Sequence, residues 1–190
     1  MHRNLSTPQK PMTDDQLIAE VLRGNRSRYA ELVARHQRTL LQYLWNLAPN
    51  RHDCEELAQE ALLRAFRHLS GFDSSRSCFR TWLLTIARNL AFNFSAKQRP
   101  QPMSELPEAP THDGEPSRNL EQREWFKQLD VALARLPLEQ RSAFVLIEIQ
   151  QLSYADAAEV EGVPLGTIKS RVSRAKQLIR ESFTSRAQND

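Results

Sequence analysis

Lys169, Ser170, Arg171, Ser173, Arg174, Lys176 and Gln177 crowd one short stretch near the C-terminus. From Pro164 to Arg180 there are five Lys or Arg and no acid. These are the side-chain types that read base edges in the DNA major groove, while flanking cations grip phosphates. A solvated basic face is the commoner fate of a charge run, but here the run sits on a patterned helix. Ile168, Val172, Ala175 and Ile179 recur at spacings of four, three and four, one apolar stripe opposite the polar residues. Upstream, Ser153 can cap a shorter helix with Asp156 three residues later, Gly162 supplies a turn, and Pro164 stands at the next helix entry. The pattern is a helix–turn–helix, whose second helix enters the major groove.

Two further clusters stand in the first half of the chain. In DCEELAQEALLRAFRHL, Glu55, Glu56, Gln59, Glu60 and Leu63 share a face opposite the apolar stripe of Leu57, Ala61, Ala65 and Leu69. Acids near a helix N-terminus favour the dipole and suit an ordinary wet surface; they also suit a basic partner helix. Farther on, Arg80, Trp82, Arg88, Asn89, Asn93, Lys97 and Arg99 interleave cations and amides with an aromatic. Aromatics stack on bases and cations hold the backbone, so this mixture fits single-stranded nucleic acid, although a Trp at helical spacing is more often core.

Other chemistries find little footing. Cys54 and Cys78 have no CxxC or CxxxH partner and fit reduced thiols. His2, His36, His52, His68 and His112 are scattered, so no metal site is expected. There is no glycine-rich phosphate loop, no nucleophile elbow and no paired Glu-x-x-His set of a bundle metalloenzyme. The expectation is a protein with no catalysis, no cofactor and no small-molecule substrate. Net charge is only +3, so local clustering argues for nucleic acid more strongly than the total does. Mean hydropathy is -0.58 with no long apolar run, and MHRNLSTPQKP lacks the apolar core of a secretory signal, which together predict a cytoplasmic protein.

The elements that must position these clusters read as all-α: two small helical domains joined by a flexible linker. Residues 1–12 form a tail and 13–99 a first domain. Thr13 and Gln16 make a capping box, with Met12 stapling onto Leu17. The helix stops at Gly24-Asn25, and a longer one follows, apolar at Tyr29, Leu32, Val33, His36, Leu40, Leu44 and Leu47. Asp53 is expected to open the third helix with Glu56 as its capping partner, and the fourth buries Phe79, Leu83, Ile86 and Leu90. Residues 100–119, rich in proline and acids, cannot bury enough apolar surface to fold alone and form the linker. Residues 120–184 make the second domain and 185–190 a tail. Its opening helix buries Trp125 or Phe126, with Leu129, Ala132, Leu133 and Leu136, and LEQRSAFVLIEIQQ packs Leu138, Phe144, Val145 and Ile149 against the helix–turn–helix.

In this order the pieces resemble a bacterial RNA polymerase sigma factor of the extracytoplasmic-function (ECF) subfamily. YAELVARHQRTLLQYL, DCEELAQEALLRAF and FRTWLLTIARN are similar to the family's first domain; LPLEQRSAFVLIEIQQLSYADAA and VPLGTIKSRVSRAKQLI are similar to its second. The resemblance implies core RNA polymerase as a partner, through its beta-prime clamp and beta flap, with promoter DNA, duplex and melted, and an anti-sigma factor. It implies that Asp53, Glu55, Glu56, Gln59, Glu60 and Leu63 meet the clamp. Phe72, Asp73, Ser74, Ser75, Arg76, Ser77, Arg80, Trp82, Arg88, Asn89, Asn93 and Lys97 would take the melted minus-ten element, with one base extruded into a loop pocket. Thr167, Lys169, Ser170, Arg171, Ser173, Arg174, Lys176 and Gln177 would read the minus-thirty-five element. Where the family usually carries a more basic run, Asn93-Phe94-Ser95-Ala96 is neutral. The alternative is a free-standing helix–turn–helix regulator that uses residues 13–99 for dimerisation or sensing; only a sigma factor needs the acidic third helix to bind polymerase.

Overall fold

The computed structural model describes residues 11–48, 50–97 and 120–187. Among them there are eight α-helices and no strand. The first four are α1 (Asp14–Leu22), α2 (Tyr29–Trp45), α3 (Arg51–Arg67) and α4 (Phe79–Lys97). After the linker stretch, which lies outside the described residues, come α5 (Leu120–Ala134), α6 (Leu138–Phe144), α7 (Tyr154–Glu161) and α8 (Leu165–Ala187).

Local chemistry sets most of the helix ends. Thr13 accepts from the Gln16 backbone N–H at 3.3 Å while the Gln16 side chain accepts from Thr13 N–H at 2.9 Å, a complete capping box. The third helix differs from the sequence expectation. It begins two residues before Asp53, and its cap is Asn50, whose Oδ1 accepts from Asp53 N–H at 3.0 Å. An extended Asn at N-cap satisfies an otherwise orphaned donor, and Asp53 becomes a first-turn acid. At the end of α7, Gly162 takes φ +64, the left-handed turn position its lack of Cβ favours.

α2, α3 and α4 pack on one another, with α1 against α2, around Leu17, Leu32, Leu44, Ala61, Ala65, Leu83 and Leu84. In the second half α8 is the hub, packed by α5, α6 and α7; Ile168, Val172 and Ala175 are buried as their spacing requires. Ile149, expected in the core, is not there, and of the alternatives Trp125 or Phe126 the first is not buried, while the Phe126 side chain lies outside the described residues. Trp125 stays half exposed at the edge, its ring 6.3 Å from that of Phe183, and Ile149 is exposed. The helix of Ile149 does not continue as α: residues Val145–Ile149 form a π turn, which rotates Leu146 and Ile147 inward instead.

The two halves meet where α4 packs against α7, and the buried apolar residues are continuous across that seam. No helix among the described residues is long and apolar enough to cross a membrane. No group of three or more His, Cys, Asp or Glu among them could hold a metal ion.

Candidate nucleic-acid interfaces

The acidic face of α3 is on the surface: Glu55, Glu56, Gln59 and Leu63 are exposed, Asp53 and Glu60 half-buried. Three of its acids are already engaged within the helix. Arg51 Nε lies 2.8 Å from Glu55, Arg64 Nε 2.6 Å from Glu60, and His52 Nε2 3.4 Å from Glu56. Exposed i,i+4 pairs of this kind contribute only about 0.3–0.5 kcal/mol each, so a basic partner can displace them.

Beyond α3 the chain turns through Leu69–Gly71 into the loop of Phe72 to Ser77. Asp73 pins this loop: its Oδ1 accepts from Ser75 N–H at 2.9 Å and from Ser75 Oγ at 2.7 Å. Those bonds hold the Asp73 carboxyl below its ordinary value. Ser74 and Arg76 are exposed and Ser77 half-buried. Phe72 does not project alone. Its ring lies 5.9 Å from Phe79 and 5.2 Å from Trp82, and Phe79 in turn contacts His36 at 5.2 Å. Phe72 and Trp82 are thus half-buried walls of an aromatic cluster that only Phe79 enters fully.

Along α4, Asn89, Asn93 and Lys97 are exposed. Arg80 and Arg88 are half-buried, because each reaches the second half of the chain. Arg80 donates to the Gln150 carbonyl and, at 3.3 Å, to Gln150 Oε1. Arg88 stacks over Phe92 at 3.7 Å and lies 3.5 Å from Glu161 Oε2.

On α8, Lys169, Ser170, Ser173, Arg174 and Gln177 are exposed and Thr167 half-buried. Ser170 Oγ donates to the Thr167 carbonyl at 2.9 Å, and Gln177 Nε2 to Glu181 at 2.9 Å. Arg171 and Lys176 turn from the exposed row. Arg171 Nη1 lies 2.9 Å from Glu161 Oε2, and Lys176 Nζ 2.8 Å from Glu148.

Glu161, which pattern reading did not single out, is a buried acid that meets side chains of both arginine-bearing helices. It is 3% exposed, at the last position of α7, where a negative charge opposes the helix dipole. That misplaced acid was the available signal. Ser142 Oγ donates to its Oε1, and the Ser142 hydroxyl also meets Tyr43 Oη at 2.7 Å. Burial pushes the Glu161 carboxyl above its ordinary value, opposed by the Ser142 hydroxyl and by the Arg88 and Arg171 guanidiniums. Burial likewise raises the Tyr43 phenol.

Two family models match the chain: Sigma-70 region 2 over residues 32–101 and Sigma-70, region 4 over residues 126–179. The chain is 34% identical to the ECF RNA polymerase sigma factor SigE of Mycolicibacterium smegmatis over 80% of its own length, and spans 60% of that relative. It is 31% identical to the ECF RNA polymerase sigma-E factor of Escherichia coli, over 88% of this chain and 93% of the relative. Among solved structures it resembles the sigma factor RpoE of Bartonella quintana, crystallised with the anti-sigma factor NepR, with a TM-score of 0.64 and 25% identity over 82% of this chain and 96% of that one. Helix order, helix–turn–helix and this similarity over nearly the whole chain agree: it belongs to the ECF RNA polymerase sigma factors.

Proposed function

We propose that this chain is a dissociable initiation subunit that binds core RNA polymerase, carries it to particular promoters and helps melt them. The observation that carries this reading is the presence of three separate polar surfaces on one chain. The α3 face carries exposed acids for a basic coiled coil of the clamp. The Phe72–Trp82 cluster with Asn89 offers stacking surfaces and an amide for an unpaired base. The exposed row of α8, centred on Ser170, Ser173, Arg174 and Gln177, has donors and acceptors for major-groove edges. The first domain, residues 13–99, takes the clamp and the minus-ten strand; the second, residues 120–184, takes the minus-thirty-five duplex.

In this role the polymerase performs the chemistry, and the chain contributes binding energy and strand capture without a cofactor. It works in the cytoplasm, where polymerase is. An anti-sigma factor is the fitting regulator, since the Bartonella quintana relative was solved with one. A free-standing regulator would have no use for the α3 face.

The experiment is to add the purified chain to sigma-free core polymerase and sequence the transcript starts. The expected result is a stable complex that initiates at a defined set of promoters. DNA binding by the chain without any core association would favour the free-standing regulator instead.

A further inference from the structure

His36 is half-buried on α2, one turn from Leu32 on one side and from Leu40 on the other, both of them core. An aliphatic side chain would fill such a position; an imidazole brings ring nitrogens that need partners. Its Nε2 lies 2.7 Å from Asp14 Oδ2 on α1, and the other oxygen of that carboxylate accepts from Arg35 at 2.9 Å. Asp14 is thus held through both oxygens, and its bond to Nε2 fixes the orientation of the ring. The imidazole meets Phe79 in an edge contact, centroids 5.2 Å apart and planes at 60°. Phe79, only 2% exposed, touches both walls of the aromatic cluster, Phe72 at 5.9 Å and Trp82 at 5.8 Å. Contacts between aromatic rings are directional, so turning one ring displaces the next. α1 also packs against the turn Leu69–Gly71 that leads into Phe72, and so braces the root of the same loop.

We infer that His36 is a positioning residue for strand capture. Oriented by Asp14, its ring sets Phe79, and Phe79 sets the spacing of Phe72 and Trp82, the surface on which an unpaired base stacks. The inference rests on the minus-ten role proposed for that cluster. A stacking surface is sensitive to its support, because a gap of about 0.5–1 Å forfeits roughly a quarter to a half of the dispersion attraction. His36 touches no base in this role; it acts through Phe79.

The test uses holoenzyme assembled from the full chain and core polymerase. The probe is the single strand spanning the minus-ten region of a promoter found by sequencing transcript starts, with an abasic site placed at each position in turn. The native holoenzyme should bind one abasic strand about tenfold more weakly than the intact strand, the mark of a lost stacking contact. His36→Ala and Asp14→Ala should each shrink that difference to about threefold, by weakening the intact strand and sparing the abasic one. Asp14→Asn keeps an oxygen for Nε2 and should restore most of it. A purely structural role would weaken both strands alike.

An undiminished difference in His36→Ala overturns the inference, as does equal loss on intact and abasic strands. If thermal unfolding shows that His36→Ala does not fold, Asp14→Ala against Asp14→Asn decides by the same comparison. Failure of the underlying role is distinguishable: no abasic position would then weaken binding by the native holoenzyme, and the inference would fall with it.

Discussion

Tyr43 and Ser142 share a hydrogen bond of 2.7 Å although 99 residues separate them in sequence. Both side chains are completely buried, and each belongs to a different half of the protein. A neutral bond of this kind contributes about 0.5–1.5 kcal/mol net. Tyr43→Phe keeps the ring packing of α2, and Ser142 retains Glu161 as a partner. The expected loss is therefore at the lower end of that range in chemical denaturation. A cost above about 3 kcal/mol would mean that Tyr43 supports its own domain rather than the seam.

Reversal of Glu56 and Glu60 to Lys should abolish core polymerase association while leaving the fold intact. Glu56 is exposed, and Glu60 holds only an i,i+4 pair with Arg64. The stability cost should stay within about 1 kcal/mol. Core binding by native gel or biolayer interferometry checks the first half of this expectation and thermal unfolding the second. Unchanged affinity would remove α3 as the dock.

Asn89→Ala is a cleaner probe of promoter melting than Phe72→Ala. Phe72 is part of the cluster with Phe79 and Trp82, so its removal also costs packing. Asn89 is exposed on α4. Holoenzyme assembly should be normal with Asn89→Ala and open-complex formation weaker, read by permanganate footprinting. A template with a pre-melted bubble should recover only the part of the defect that lies in strand separation.

Arg174 and Lys176 should separate base reading from phosphate grip. Arg174 is exposed in the polar row of α8, whereas Lys176 is half-buried against Glu148 at its edge. Arg174→Ala should lose about 1–3 kcal/mol on the preferred upstream element, and less when the contacted base pair is already changed. Lys176→Ala should weaken all upstream sequences alike and lower the salt slope by about one phosphate contact. A panel of single-base variants at two salt concentrations distinguishes the two outcomes.

The two cysteines should differ sharply in reactivity. Burial pushes the Cys54 thiol up to about 11, while Cys78 is exposed. Because the thiolate is the nucleophile, a raised value leaves Cys54 only about a thousandth ionised at pH 8, rising tenfold per pH unit. Maleimide labelling at that pH, followed by peptide mass spectrometry, should modify Cys78 and leave Cys54 intact until the chain is unfolded.

Caps and periodicity are local, and local features were legible in the sequence. Thr13 with Gln16, Ser153 with Asp156, Gly162, and the Ile168–Val172–Ala175 stripe all depend on residues within one or two turns of each other. The helix–turn–helix and the exposed α3 face followed from them. The cap at Asn50 was missed because Asn50 and Asp53 compete for the same role, and only the observed backbone path decides between them. The choice between Trp125 and Phe126 stayed open because an apolar side chain at helical spacing carries no mark of which neighbour arrives to cover it, and Ile149 was misplaced because a π turn shifts the face of everything after it. The seam lay furthest from view. A buried acid is tolerable only when cations reach it, and those of Glu161 come from α4 and α8 at once. Which distant residues meet is set by how the two halves pack, and no period in either half encodes that.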